Sequence, residues 1–330
     1  MIKLNKILVP TDFSEGAGSA YPVANELIDN EKGKIDFIHV IPTLKYFNES
    51  LKRLGVPLDM NKDVYPKVIE EAEEKMKEIM NRSFSPENIG DVVVRVGQRP
   101  AEVIATYAQE NEYDMIVLGA RGRDESKFLR GGVTERVIRR SRVPVFSVDR
   151  HFKKEVVENV VMTTDSSELS IAAFPLAVAI ADMYGASLTL FYVIELYGGA
   201  TEEIPIQPAK GEAVSSYEGI VDRINTYLSK RKIEDLHIRF SGLPFEDEVV
   251  ITDGDESRTI PLYTKVVKGI SAHYEIEHYV AEAADLIVMA THGRSGFAHL
   301  VLGSTAEKVA QYSKKSVITI RPDERDFTKK

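Results

Sequence analysis

Two stretches of the chain carry nearly the same pattern: "ILVPTDFSEGAGSAYPVANEL" over residues 7–27 and "VVMTTDSSELSIAAFPLAVAI" over residues 160–180. Each opens on a short apolar run, passes through Thr-Asp and a serine, and continues into a helical pattern. At one constant offset of 153 residues, Asp12 matches Asp165 and Ser14 matches Ser167. Repeats of this length indicate two copies of one domain rather than a solenoid of short units.

The glycine-bearing turns near the end of each copy repeat as well. Gly122 matches Gly293, now at an offset of 171 residues. The change of offset from 153 to 171 means that the second copy contains a net insertion of 18 residues. We therefore expect one domain over residues 1–150 and a second over residues 155–322.

Short apolar runs alternate with helical patterns in each copy. Ile- and Val-rich runs suit strands that are buried on both faces of a parallel sheet. In the first copy, the strand candidates are residues 6–11, 34–41, 92–96, 115–119 and 143–148, and the helix candidates are residues 15–29, 62–81, 100–111 and 131–141. Gly16, Gly18 and Pro22 predict a kink in the first helix or a late start of it. We predict two tandem doubly wound, Rossmann-like α/β domains, each with a five-stranded parallel sheet whose ligand lies beyond the carboxyl ends of the strands.

The insertion in the second copy has the pattern of a β-hairpin at about residues 245–268. Two β-branched arms, residues 248–251 and 259–263, flank the turn sequence Asp253-Gly254-Asp255. An Asp-Gly turn between such arms is a strong short-range hairpin signal. We expect an exposed acidic tip and arms that lie outside the core.

The pattern leaves open which segment supplies the third strand of the second sheet. Residues 236–241 and residues 263–268 both qualify. If the hairpin lies outside the core, deletion of residues 247–264 leaves a folded protein.

The composition restricts the function classes. The 330 residues include no cysteine and carry a formal net charge of −9. The lack of cysteine excludes disulfides, thiolate metal sites and thiol catalysis. The acidic balance disfavours nucleic acid as a partner. No apolar run reaches the roughly 18 residues that a membrane-spanning helix needs, so we expect a cytoplasmic protein without membrane contact.

Signatures of catalysis and of metal binding are missing from the sequence. No Walker A motif, G-x-S-x-G elbow or Rossmann G-x-G-x-x-G fingerprint is present. His273 and His278 are five residues apart, which does not place them on one helical face, so no metal site is predicted. No catalytic residue is predicted, and any nucleotide hydrolysis is expected to be slow.

The motifs "KILVPTDFSE", "HVIP", "YDMIVLGARGR", "DLIVMATHGRSGF", "GSTAEKVA" and "SVITI" resemble the universal stress protein family in its tandem two-domain form. The match covers nearly the whole chain and implies the adenine nucleotide alpha hydrolase-like fold. ATP-binding members of that family show Gly, two residues, Gly, nine residues, then Gly followed by Ser or Thr. The resemblance implies a bound adenine nucleotide (ATP, ADP or AMP, with Mg²⁺ as a possible companion). An acidic residue after the first strand would hold the ribose, backbone after the second strand would meet the adenine, and the glycine-rich loop with Gly-Ser would hold the phosphates.

Mapped onto this sequence, the resemblance implies one main site and one weaker site. The main site, in the second copy, comprises Thr163, Thr164, Asp165, Val193, Ala290, His292, Gly293, Arg294, Gly296, Gly303, Ser304 and Thr305. The weaker site, in the first copy, comprises Pro10, Thr11, Asp12, Val40, Gly119, Arg121, Gly122, Arg123, Gly132 and Val133.

Neither copy matches the nucleotide pattern fully. Val133 stands where the first copy should have a hydroxyl residue, and Ala290 replaces the leading glycine of the second copy. A methyl group at residue 290 is a modest change, whereas valine removes a hydroxyl and adds a β-branched side chain at a helix start. The second copy is therefore predicted to be the better nucleotide site.

Purely structural roles remain open for four of these residues. The sequence Ser-Thr-Ala-Glu that begins at Ser304 is also a capping box, in which Ser304 would only close the helix. His292 could be a simple turn residue. Asp12 and Asp165 could each cap the helix that follows instead of binding ribose.

The preferred hypothesis is a cytoplasmic stress-response protein that binds an adenine nucleotide as a regulatory ligand. The alternatives are a nucleotide-free scaffold that presents paired domains to an unidentified protein partner, and a weak ATPase. Family members pair their last strands antiparallel across a twofold axis, so we expect residues 143–148 and 316–320 to pair within one chain. A further homodimer is compatible with this arrangement.

Overall fold

The computed structural model describes residues 4–28, 32–120, 132–196, 207–292 and 303–322. The chain divides into two compact units, the first within residues 4–150 and the second within residues 151–330. Each unit is an α/β domain with a predominantly parallel sheet, so the predicted tandem α/β architecture is confirmed.

The first unit has five strands and six α-helices among its described residues. The strands are β1 (Lys6–Pro10), β2 (Lys34–Pro42), β3 (Ile89–Gly97), β4 (Met115–Gly119) and β5 (Val145–Val148), and the helices are α1 (Glu15–Gly18), α2 (Ala20–Leu27), α3 (Lys45–Arg53), α4 (Tyr65–Ser83), α5 (Pro100–Glu110) and α6 (Gly132–Arg140). The strands are parallel in the order β3-β2-β1-β4-β5. The chain therefore runs outward from β1 in one direction and then crosses to the other side, which is the doubly wound topology.

The first helical segment breaks in two, as its glycines and proline predict. Ser14 caps α1 by accepting a hydrogen bond from the Ala17 N–H at 3.1 Å. Ser19 then separates α1 from α2. The sequence pattern did not predict α3.

The second unit repeats this plan with a longer sheet. Its strands are β6 (Asn159–Thr164), β7 (Ser187–Glu195), β8 (Leu236–Leu243), β9 (Glu246–Asp253), β10 (Glu256–Gly269), β11 (Leu286–Ala290) and β12 (Ser316–Ile320), and its helices are α7 (Glu168–Ile171), α8 (Phe174–Tyr184), α9 (Lys210–Lys230), α10 (Ala272–Ala283) and α11 (Ser304–Tyr312). The described strands follow the order β12-β11-β6-β7-β10-β9-β8. The first five in that order are parallel, and β9 and β8 are antiparallel additions.

The inserted hairpin belongs to the core, which corrects the expectation that it lies outside. Its turn contains Gly254 in the left-handed region at φ +63°, as the Asp-Gly signal predicts. The carboxyl half of β10 pairs in parallel with β7, from Leu262 opposite Leu188 to Gly269 opposite Glu195. Residues 263–268 therefore supply the third parallel strand, and residues 236–241 form the outer antiparallel strand β8.

Burial along β10 alternates as in a sheet that is covered on one face, whereas residues 249–251 of β9 are all buried. Val249 and Ile251 of β9 and Leu262 of β10 have no exposed surface. Their neighbour Tyr263 is 43% exposed. The position of the hairpin was predicted wrongly because the alternation along β10 is equally typical of a solvated hairpin and of a sheet edge under a helix.

The same anchor fixes the amino ends of the first strand in both units. Asp114 Oδ2 accepts hydrogen bonds from the N–H groups of Asn5 and Lys6 at 2.7 and 2.8 Å. Asp285 Oδ2 accepts the equivalent pair from Glu158 and Asn159, both at 3.0 Å. The aspartate that precedes β4 or β11 therefore sets the register of the neighbouring strand.

Candidate functional site

A cavity of about 380 Å³ opens at the carboxyl edge of the second sheet. Its floor is formed where β6, β7 and β11 end, and α10 and α11 supply its walls. Because β6 lies between β7 and β11, the chain changes direction across the sheet at this point. Ligands of doubly wound proteins bind at such a switch point.

Asp165 follows the last residue of β6 and lies half-buried in the cavity lining. Its Oδ1 accepts hydrogen bonds from the Ser167 N–H at 2.9 Å and the Ser167 hydroxyl at 2.6 Å. Ser167 in turn caps α7 by accepting the Ser170 N–H at 3.2 Å. The helix cap is thus Ser167, and the proposal that Asp165 caps the helix itself is wrong.

The turn after β6 is conformationally unusual. Ser166 has φ +65°, a region that residues with a side chain seldom occupy. Three contacts hold it there: its N–H donates to Thr164 Oγ1 at 3.0 Å, the Thr164 hydroxyl lies 2.8 Å from Ser170 Oγ, and Arg223 donates to its carbonyl at 2.6 Å. Such backbone persists where surrounding structure over-determines it.

The amino end of α11 borders the opposite side of the cavity. Gly303 is the N-cap residue, and its N–H donates to the Thr291 carbonyl at 2.8 Å. A Cβ at residue 303 would lie 3.2 Å from that carbonyl oxygen, so glycine permits the close approach. Ser304 is the first helical residue and is exposed. The alternative that Ser304 acts as the N-cap of a capping box is therefore wrong.

His292 lies between the end of β11 and this helix. Its Nδ1 is 2.9 Å from the Thr291 hydroxyl oxygen, and the side chain contributes to the cavity lining. The Thr291 N–H donates to the Ile320 carbonyl at 2.8 Å. Thr291, which contacts His292, is thus held by both β12 and the start of α11.

The side of the cavity next to β7 and α10 is apolar. Phe191, Val193 and Ile276 line it, and the Phe191 ring stacks on Tyr279 with centroids 4.4 Å apart. Burial raises the pKa of Tyr279, because the phenolate would lose its hydration. At the rim of this side, Glu195 Oε1 accepts the Ala272 N–H of α10 at 2.9 Å.

Nine of the residues predicted for the main site line this cavity: Thr163, Thr164, Asp165, Val193, Ala290, His292, Gly303, Ser304 and Thr305. The other three, Gly293, Arg294 and Gly296, lie outside the described residues. The sequence reasoning missed the residues that α10 and the end of β7 bring to the cavity, chiefly Glu195, Ala272 and Ile276. No local motif marks them, since α10 follows the inserted hairpin.

The family of the chain follows from its sequence profile. The profile of the universal stress protein family matches residues 3–149 and again residues 157–321. The chain belongs to the universal stress protein family. It contains two tandem copies of the family domain.

Several relatives share this assignment. A universal stress protein of Methanocaldococcus jannaschii is 32% identical over 163 residues, which cover 45% of this chain and 97% of that protein. A second one from the same organism is 24% identical over 173 residues, covering 52% and 87%. The crystal structure of a universal stress protein from Archaeoglobus fulgidus covers 97% of this chain and 99% of its own, with 20% identity and a TM-score of 0.62. That likeness shows the fold.

Another solved universal stress protein is a complex with cAMP, an adenine nucleotide. It covers 51% of this chain and 98% of its own at 20% identity, with a TM-score of 0.31.

In the first unit of this universal stress protein, the turn after β1 has nearly the same hydrogen bonds as the turn after β6 in the second unit. Asp12 Oδ1 accepts the N–H of Ser14 at 3.0 Å, and Ser14 rather than Asp12 caps the helix. Phe13 has φ +63° and donates its N–H to Thr11 Oγ1 at 3.0 Å. His39 Nδ1–H donates to the Thr11 carbonyl at 2.7 Å. The aspartate and its turn are thus shared, while the side chains around them differ.

Packing explains why residue 119 of the first unit is a glycine. A Cβ at residue 119 would overlap the Gly16 carbonyl oxygen of α1. The Thr134 hydroxyl of α6 donates to the Gly119 carbonyl at 2.9 Å. The glycine is required by the helix that crosses the end of β4, whereas its counterpart in the second unit, Ala290, lines the cavity.

The remaining residues of the weaker site are distributed around the same edge of the first sheet. Pro10 and Val40 are buried near the ends of β1 and β2, whereas Gly132 and Val133 are exposed at the start of α6. Arg121, Gly122 and Arg123 lie outside the described residues.

Within the described ranges, no group of three or more His, Cys, Asp or Glu side chains is arranged to hold a metal ion. In the same part of the chain, no helix combines the length and apolarity needed to cross a membrane.

Proposed function

We propose that this universal stress protein is a cytoplasmic regulatory protein that binds an adenine nucleotide, ATP or its mono- or diphosphate, in the second unit. The observation that carries the proposal is the cavity at the switch point of the second sheet, bordered by the amino end of α11. Backbone N–H groups and the helix dipole at such a terminus favour a phosphate.

The two helix termini at the cavity define how the ligand would be oriented. The amino end of α10 already has an anion, because the Glu195 carboxylate accepts its first N–H. The amino end of α11 has only glycine as its N-cap, with no side-chain capping bond. The phosphates would therefore lie at α11, and like-charge repulsion would keep them away from Glu195.

The rest of the nucleotide fits the remaining surfaces of the cavity. The base would pack on the apolar side formed by Val193 and Ile276. The ribose hydroxyl groups would then lie over the end of β6, where the Asp165 carboxylate is an acceptor. An apolar wall with a few polar groups is the usual composition of a small-molecule site.

Nucleotide analysis of the purified protein tests the proposal. Protein prepared without added nucleotide is extracted with acid and the extract is chromatographed, and nucleotide-free protein is titrated calorimetrically with ATP and with AMP, with and without Mg²⁺. We expect an adenine nucleotide in the extract or saturable binding in the titration. An empty extract together with no binding heat for any of these ligands would contradict the proposal and favour the scaffold alternative.

A further inference from the structure

The Glu195 carboxylate lines the end of the cavity where the base of the nucleotide is proposed to pack. It is the last residue of β7, and Phe191, Val193 and Glu195 alternate onto the same face of that strand. The stacking of Phe191 on Tyr279 shows that this face is the one covered by α10. Glu195 therefore stands directly beyond the surface on which the base would pack.

The hydrogen bond to α10 holds this carboxylate in place. Oε1 accepts the Ala272 N–H at 2.9 Å, across 77 residues of sequence. The N-cap residue Ser271 makes no side-chain capping bond of its own, so Glu195 takes over that function. An ionised carboxylate has two oxygens and about four lone-pair sites, so a carboxylate that caps a helix through one oxygen can also accept a ligand hydrogen bond.

An anchored acceptor of this kind discriminates between ligand groups. An N–H donor on the base would make a charge-assisted hydrogen bond with it, whereas a carbonyl or phosphate oxygen would be repelled. Adenine carries such a donor in its exocyclic 6-amino group. A second carboxylate, Glu275, packs over Gly269 near the same helix terminus and lies outside the cavity lining.

We infer that Glu195 is a specificity-determining residue that accepts a hydrogen bond from the 6-amino group of the bound base. The second unit then selects 6-aminopurine nucleotides over purines that lack the amine. This inference rests on the proposed function, since it assigns a role within the same cavity.

The experiment compares ATP with purine riboside 5′-triphosphate, which has hydrogen in place of the 6-amino group. Calorimetry on the full chain should show that ATP binds roughly ten- to a hundredfold more tightly, the usual contribution of a hydrogen bond to a charged group. Glu195→Gln keeps an acceptor for Ala272 but removes the charge, and should reduce the ratio to a few-fold. Glu195→Ala should bring it near unity.

Glu275→Gln is the matched control. It removes a negative charge from the same end of α10 and should leave the ATP preference unchanged. Thermal unfolding of each variant establishes that α10 is still folded. Equal affinity of the wild type for the two triphosphates, or a preference that survives Glu195→Ala, would overturn the inference and leave the proposed function standing. Binding of neither triphosphate, together with no binding of AMP, would overturn the proposed function, and with it this inference.

Discussion

Ser304 combines exposure with a position at the open amino end of α11. A phosphate at this terminus would gain its hydroxyl in addition to the backbone N–H groups. A hydrogen bond to a charged group contributes about 1.5–3 kcal/mol, so Ser304→Val should weaken nucleotide binding roughly ten- to a hundredfold. Ser304→Thr keeps the hydroxyl and serves as the control, with affinity close to wild type. Calorimetric titration with ATP measures both variants, and undiminished affinity of the valine variant would place the phosphate elsewhere.

Tyr113 couples the stability of the first unit to alkaline pH. Its hydroxyl donates to Asp36 Oδ2 at 2.6 Å, and both residues are buried. Burial, followed by the hydrogen bond to Asp36, raises the pKa of Tyr113 above its ordinary value of 10.0. Above about pH 10 the unfolded chain loses the tyrosine proton while the folded chain keeps it. The stabilisation is complete below that pH and is lost as the pH rises beyond it, by about 1.4 kcal/mol per pH unit.

Urea unfolding between about pH 8 and 11 tests this coupling. Tyr113→Phe should lower the free energy of unfolding at neutral pH by about 1–3 kcal/mol, because a buried carboxylate loses a donor. The same variant should show a shallower loss of stability above about pH 10 than the wild type. Tyr274, which is 63% exposed, provides the control. Tyr274→Phe should leave the alkaline slope unchanged, and an equal slope for Tyr113→Phe would mean that Tyr113 is not the responsible group.

Strand β10 is both an arm of the inserted hairpin and the third parallel strand of the second sheet, two roles that the sequence pattern assigned to different segments. Leu262 has no exposed surface and begins the parallel pairing with β7, while the adjacent Tyr263 is 43% exposed. Leu262→Ala should cost about 2–5 kcal/mol, the usual range for removing a buried leucine side chain. Tyr263→Ala should cost far less. Chemical denaturation monitored by circular dichroism compares the two, and similar small losses would restore the view of the hairpin as a peripheral arm.

The crossing of α1 over β4 depends on the missing side chain of Gly119. Gly119→Ala forces a methyl group into the Gly16 carbonyl and should destabilise the first unit by about 1–3 kcal/mol. Gly219, inside α9, meets nothing within 4 Å and is the control. Gly219→Ala should be neutral or stabilising, because alanine favours a helix interior by roughly 1 kcal/mol. If thermal unfolding shows no loss for Gly119→Ala, the helix can shift away from the strand without cost.

Across the whole chain, the duplicated domain is expected to bind nucleotide unequally. The second unit has the cavity with Ser304 at its helix terminus, whereas the first has exposed Val133 at the equivalent position. We expect about one tightly bound nucleotide per chain, with any second site weaker by roughly tenfold or more. Val133→Ser should strengthen the weak site. Calorimetry measures the number of nucleotides bound per chain. Two sites of equal affinity in the wild type would refute the predicted difference between the two units.

Features that depend on residues adjacent in the chain could be predicted from the sequence alone. The limits of β4, Met115–Gly119, match the predicted run because five consecutive apolar residues leave little choice. The break between α1 and α2 follows from local glycine and proline. The Thr-Asp-x-Ser turns at Asp12 and Asp165 are also local, since their hydrogen bonds span only two or three residues.

Features that depend on segments far apart in the chain could not be read in this way. Alternation along β10 gives two faces, but which one is buried depends on α9, which packs against this strand. Gly119 resembles a phosphate-loop glycine until α1 is placed against it. Glu195 lines the cavity and is held there by a hydrogen bond from the N–H of Ala272, 77 residues further along the chain. Local conformational preferences follow from adjacent side chains, whereas burial and site composition arise only when distant segments pack together.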